Sequence, residues 1–246
     1  MSTIGGRGKF GVGRRVLSGI ITNGLTLYLD AGKTTSYPGT GTTWYDISGN
    51  GYNGTLNGGA GFNSANGGSI TFDGLDEFIN LGTSFSIPLN GTISFWVKLT
   101  NSIVFGVYTG NTRPFGINGN FEIRWGGLTG FNNAYLQADM GFSGPPTINN
   151  GVTLQSTTNN WYNTTWYNIC ITYNTTNNQC KMYIQSVLED TKGVTNPTGL
   201  TGNFYIGRST GGGYLGGSIS NFMFYNRDLS ATEVLQNYNA LKGRYI

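Results

Sequence analysis

Histidine is absent from the 246 residues, which removes the commonest general base near neutral pH and the usual nitrogen ligand of zinc. Charge is scarce too: Asp, Glu, Lys and Arg make up only 10% of the chain, with a net charge of +3. Such a body lacks the concentrated basic face of a nucleic-acid reader. No run of eighteen or more apolar residues occurs, and the first residues contain no long apolar core, so neither a membrane span nor a secretory signal is predicted. Cysteine occurs twice, as Cys170 and Cys180, on either side of the turn-like stretch Asn174 to Asn178. Two paired strands would bring them near each other, as a disulfide if the geometry allows or as two buried thiols.

What is present suits a β protein. Glycine contributes 41 residues and the aromatic fraction is 14%, the composition of many short strands joined by tight turns. A hydrophobic fraction of 37% is enough for a packed core, and 246 residues is an ordinary length for a single sandwich or barrel. The positive charge is uneven. Arg7, Lys9, Arg14 and Arg15 fall within the first fifteen residues, which hold no acid, whereas the remainder carries ten basic against eleven acidic residues.

Residues 1–20 read as a basic, glycine-rich arm and residues 21–246 as one folded domain. The body opens where Leu25, Leu27 and Leu29 alternate with polar neighbours, the two-residue period of a half-buried strand. The same period is clearest at Ile93, Phe95, Val97 and Leu99, whose odd positions should face the core. Residues 33–68 read as a long connection held by Trp44, Tyr45, Ile47, Leu56 and Phe62. Further strands are expected at 69–72, 78–81, 103–108, 121–125, 135–140, 167–173, 181–184, 203–206 and 219–225, the 174–178 stretch turning a hairpin. Ser230 and Glu233 have capping-box spacing before a helix with apolar Val234, Leu235, Tyr238 and Leu241, and Gly243 is the expected stop. This pattern predicts an all-β, two-sheet antiparallel jelly-roll sandwich with a short C-terminal helix, an Ig-like array being the alternative.

Five phrases, in order, carry a family resemblance: Gly24 to Ala31, Trp44 to Leu56, Phe72 to Ile79, Ile93 to Val97, and Phe222 to Glu233. Together they resemble the laminin-G-like members of the concanavalin A-like lectin and glucanase group. The stretch from Tyr37 to Trp44 and the ending from Gln236 to Tyr245 are similar to copies carried by bacteriophages, notably marine and cyanobacterial ones. The resemblance implies a virion protein, assembled in the host cytoplasm and present in multiple copies, with other capsid or tail proteins as partners. Family members usually show Asn-Gly after the strand containing Tyr183; this chain has Gln185-Ser186, so an altered turn is expected.

The glucanase branch needs a strand of spaced acids, in which one carboxylate attacks and another donates a proton. No such strand is visible, and a non-enzyme is predicted. Asp73, Asp76 and Glu77 flank Gly74 and read as turn carboxylates, with a calcium site as the alternative; no other cofactor is expected. Gly6 to Gly11 spells the dinucleotide fingerprint but lacks the flanking strand, helix and acid, so it reads as part of the arm. Within that arm Arg7, Lys9, Phe10, Arg14 and Arg15 are the candidate contacts to a neighbouring protein. Trp125, Trp161 and Tyr162 are the candidate sugar platforms, with Asn132, Asn133 and Asp139 as candidate hydrogen-bonding partners for a host glycan.

Overall fold

The computed structural model describes residues 19–104, 112–117, 121–125, 135–140, 152–194, 203–209 and 213–246. Its first strands are β1 (Leu25–Asp30), β2 (Thr43–Trp44), β3 (Gly54–Asn57), β4 (Gly61–Asn63), β5 (Ser69–Asp73) and β6 (Phe78–Asn80). There follow β7 (Asn90–Leu99), β8 (Ile103–Val104), β9 (Thr112–Ile117), β10 (Phe121–Trp125), β11 (Leu136–Met140) and β12 (Val152–Gln155). The last are β13 (Asn160–Trp161), β14 (Trp166–Asn174), β15 (Gln179–Ile184), β16 (Val187–Lys192), β17 (Phe204–Ile206) and β18 (Gly216–Tyr225), before helix α1 (Ala231–Leu241).

All pairings are antiparallel. The first sheet runs β16-β15-β14-β7-β18-β5-β4, with β1 also on β18; the second runs β12-β11-β10-β9-β17-β6-β3-β2. Between them lies one core. Ile93, Phe95, Val97 and Leu99 of β7 enter it from the first sheet, and Ile79, Ile123, Trp125, Leu136 and Phe204 from the second. The two-residue period thus places the odd side chains of β7 inward, and the architecture is a two-sheet jelly-roll sandwich.

The even side chains of β7 meet a second apolar layer. Tyr28, Trp96, Cys170, Met223 and Tyr225 on the outer face of the first sheet pack with Leu229, Val234 and Leu241 of the C-terminal segment. Trp96 is held between Tyr245, with ring centroids 4.1 Å apart, and Tyr238 at 5.6 Å. Helix α1 starts where predicted: Ser230 and Glu233 exchange both capping-box bonds. It ends differently. The chain tightens into a 3-10 turn over Lys242–Arg244, with Gly243 inside it, because Arg244 and Tyr245 must fold back onto the sheet.

The fold-back is anchored at a β-bulge. Between Ile219 and Asn221 the register of β18 shifts, where the strand exchanges its neighbour β5 for β1. The hydroxyl of Ser220, the extra residue, donates to the Gly68 carbonyl and accepts from Arg244 and Tyr245. The bulge also inverts the alternation, so Ile219 and Phe222 both point into the core.

At the expected arm boundary, residue 20, the chain is already held to the body. The Ile21 amide donates to Asn237 Oδ1 at 2.7 Å, Tyr225 donates to the Ile21 carbonyl, and Gln236 donates to the Gly19 carbonyl. Ile20 and Ile21 also pack on the outer layer. The remaining arm residues, including Arg7, Lys9, Phe10, Arg14 and Arg15, lie outside the described residues.

Residues 33–68 contain three short strands as well as the anchored loops. Here the sheet is built from Gly, Thr and Asn with one apolar residue per strand, too few to show a period. Asp46 organises the loop between β2 and β3: its carboxylate accepts from the amides of Tyr28, Ser48 and Tyr52 and from the Ser48 hydroxyl. On the opposite side of the sandwich, carboxylates serve the edge of β12 and the loop after it. Asp190 accepts the Gln155 amide and Glu189 the amides of Thr157 and Thr158.

The two cysteines do not approach each other. Cys170 pairs in register with Tyr183 and Cys180 with Tyr173, and their thiols sit on opposite faces of the sheet. Both are free, and burial raises their pKa values to about 12 and about 11 respectively.

Candidate functional site on the outer face of the second sheet

Helix α1 covers the outside of the first sheet, and among the described residues no helix lies on the outer face of the second, although the charged side chains at its centre, Glu122 and Arg124, are buried. The side chains of this face follow from alternation. Ile123 and Trp125 point into the core, so Glu122 and Arg124 point away from it. Arg124 Nη1 lies 3.7 Å from Glu122 Oε1, and Arg124 Nη2 donates to Gln137 Oε1 at 3.1 Å. Gln137 in turn donates to Gln155 Oε1 at 3.2 Å. Arg124, Gln137 and Gln155 are direct register partners, so this polar ladder crosses three strands.

A parallel row is longer. Asn80, Tyr205, Gly116, Glu122, Asp139 and Thr153 are successive partners across β6, β17, β9, β10, β11 and β12. At roughly 4.8 Å per strand the row extends about 24 Å. Gly116 is needed where it stands: a Cβ there would meet Ser209 Cα and Cβ at 2.9 and 2.8 Å. Ser209, 1% exposed, thus seats residues 207–209 on the sheet.

Aromatic side chains gather at the β6 end. Phe78 and Tyr205 meet edge to face with centroids 5.5 Å apart. The guanidinium of Arg208 lies 4.6 Å from the Phe78 ring centre, 4.7 Å from that of Tyr205 and 5.6 Å from that of Tyr214. All four side chains are half-buried, open to solvent on one side.

The sequence-predicted sugar platforms divide. Trp125 and Trp161 are both fully buried, meet at 5.3 Å edge to face, and belong to the core, so neither ring presents a face to a sugar. This corrects the expectation: a sandwich closes over indoles on the inward phase of its strands. Tyr162 is 52% exposed and keeps a free ring. Asp139 stands on β11 opposite Glu122 in register; its side chain, with all of Asn132 and Asn133, lies outside what the structure describes.

Asp73, Asp76 and Glu77 serve the turn after β5. Asp73 Oδ1 accepts the Leu75 amide and Glu77 accepts the Asp73 amide. Burial raises the pKa of Glu77, with the nearby Asp73 and Asp76 adding to it. Among the described residues no three His, Cys, Asp or Glu side chains converge on a metal-sized space, so the calcium alternative gains no donor set. No helix among them is long and apolar enough to cross a membrane.

Glu122, Arg124, Gln137, Gln155, Tyr205 and Arg208 escaped the sequence reading. The signal was available for the first two, because charged residues alternating with Phe121, Ile123 and Trp125 mark an outward face. For Arg208 there was none, since its partners come from β6, β17 and the segment before β18.

Comparison with solved structures agrees with this architecture. The binding domain of Paraclostridial Mosquitocidal Protein 1 superposes with a TM-score of 0.66 at 17% identity, covering 89% of this chain and 52% of that one. Botulinum neurotoxin type C, whose cell entry depends on interaction with two ganglioside molecules, gives 0.65 at 15% identity, covering 90% and 52%. The binding domain of botulinum neurotoxin DC in complex with SialylT gives 0.62 at 15%, covering 89% and 52%. The chain therefore spans about half the length of these structures, and the likeness is one of fold. No curated protein matches the sequence. Residues 73–235, more than half of the chain, match the Laminin_G_3 family profile. The chain belongs to the concanavalin A-like lectin/glucanases superfamily.

Proposed function

We propose that this chain is a non-enzymatic attachment and recognition module, an accessory protein of a phage particle. Its N-terminal basic residues dock on a capsid or tail protein, and the outer face of the second sheet is turned outward toward host glycan. The observation that carries the reading is the asymmetry of the sandwich. Among the described residues one sheet is covered by the chain's own C-terminal helix, while the other carries no helix and has a long polar row, buried at Glu122, with half-exposed aromatics at its end. A row of amides and charged groups beside aromatic edges matches the hydroxyls and apolar faces of a sugar chain. The comparison structures, all binding domains or a toxin that binds gangliosides, support a binding role; the phage-type sequence phrases support the virion setting.

The test uses the intact chain on an oligosaccharide array and on host cells. Gln137→Ala and Tyr205→Ala should reduce retention while leaving the melting temperature within a few degrees, and a chain lacking residues 1–18 should fold yet fail to join particles. Absence of any sugar-dependent retention would remove the glycan half of the proposal, and normal particle incorporation of the shortened chain would remove the arm.

A further inference from the structure

We propose that Arg208, with Phe78, Tyr205 and Tyr214, forms a subsite for a carboxylate-bearing sugar unit. This rests on the glycan-binding reading above and specifies its ligand. Four arginines have described side chains, and three of them hold a carboxylate: Arg124 with Glu122, Arg227 with Glu233 and Arg244 with Asp30. Arg208 differs. Among the described residues no carboxylate lies within ion-pair distance of it, and its one hydrogen bond runs from Nε to the Ser209 carbonyl at 3.4 Å. Its guanidinium is instead placed against three aromatic rings, which leaves both terminal nitrogens without an acceptor among those residues.

The placement is rigid. Gly207 has φ +89°, and a Cβ there would strike Phe72 Cε1 at 2.7 Å, so the backbone is fitted tightly just before Arg208. The Leu215 amide donates to the Gly207 carbonyl at 2.8 Å, Arg208 and Tyr214 form a β-bridge, and Ser209 is buried on Gly116. A planar fork so held is suited to grip a carboxylate with two parallel N–H bonds. Tyr205 and Tyr214 then flank the sugar ring bearing it. Tyr205 is also a member of the long row, which puts the subsite at the β6–β17 end of that row; the next position, Gly116, is covered by Ser209.

The test is calorimetric titration of the full chain with oligogalacturonate, with the same oligomer fully methyl-esterified, and with a panel of neutral oligosaccharides. Arg208→Gln, Arg208→Lys and Tyr214→Leu are compared with the parent, and melting temperatures identify any variant that fails to fold. The expected result is binding of the acid form at least tenfold tighter than its ester. Arg208→Gln should abolish that preference, and Arg208→Lys, which keeps the charge but loses the fork, should reduce it; if the glutamine variant unfolds, the lysine variant decides. Sodium acetate at equal carboxylate concentration should not compete, which separates a sugar site from a bare anion site. Equal affinity for acid and ester, unchanged acid preference in the Arg208 variants, or full competition by acetate would overturn the subsite while leaving glycan binding intact. Failure to bind any oligosaccharide would overturn both.

Discussion

Arg244 places Nη1 2.8 Å from Oδ1 of Asp30, joining the penultimate turn of the chain to the end of its first strand. Asp30 is 1% exposed and also accepts from the Tyr28 hydroxyl and the Gly32 amide. A carboxylate enclosed in this way is tolerable only because its charge is matched and its lone pairs are occupied. Arg244→Met should therefore destabilise the fold by about 2 kcal/mol. That is less than the cost of breaking a wholly buried pair, since the guanidinium retains some exposure. Adding Asp30→Asn, which removes the stranded charge, should recover at least half of the loss in urea unfolding; further destabilisation in the double variant would contradict the ion-pair account.

Glu233 supplies the acid dependence of the helix. The Arg227 guanidinium, reinforced by Ser230, lowers its pKa to about 2. An unfolded glutamate titrates near about 4.3, so the folded group is the stronger acid and its contribution is complete above that pH. It is lost as pH falls toward 2. The parent should lose about 1 kcal/mol more than Glu233→Gln between pH 5 and 2.5, after allowance for partial exposure. Parallel stability curves would exclude this role.

Both thiols should be inert in the native protein. Only the thiolate reacts, and burial has pushed both groups well above neutral pH. At pH 8 a chromogenic disulfide reagent should detect almost no thiol in the folded chain and two per chain in denaturant. Recovery of none in denaturant would mean that they are bonded.

The turn Gln185-Ser186 should respond to glycine with opposite signs at its two positions. Both residues have positive φ, 51° and 64°, the handedness of a two-residue hairpin turn usually made by Asn-Gly. Ser186→Gly relieves that strain and should stabilise by about 0.5–1 kcal/mol. Gln185→Gly should destabilise instead, because the Gln185 carboxamide donates to the Trp166 carbonyl and accepts the Asn168 amide, extending the β14 ladder beyond the last backbone pair. Two changes of the same sign would refute this division.

Trp125 and Tyr162 provide a test of inside against outside. Trp125→Ala should cost about 3–5 kcal/mol and Tyr162→Ala less than about 0.5 kcal/mol in chemical denaturation. Similar losses would place both rings in one environment.

The parts of the fold visible from sequence were those in which a local period met a local punctuation mark. Ile93 to Leu99 is an uninterrupted alternation, and Ser230 with Glu233 marks a helix start through two side chains three residues apart. The 174–178 hairpin follows from its polar turn formers. What stayed hidden depends on distant neighbours. Trp125 and Tyr162 look alike as aromatic residues, and only the second sheet decides which is enclosed. The 43–63 strands have almost no apolar signal of their own, because they borrow their partners from β5 and β6. Gln185-Ser186 was expected to alter the turn; the handedness is that of Asn-Gly, and Gln185 supplies compensating bonds. The Arg208 cluster is assembled from three separate stretches and has no motif at all.

The bond between the Ile21 amide and the Asn237 side chain ties the first described residues to the final helix. A pull applied through the residues before Gly19 therefore loads α1 and the outer layer directly, and the core between the two sheets only through them.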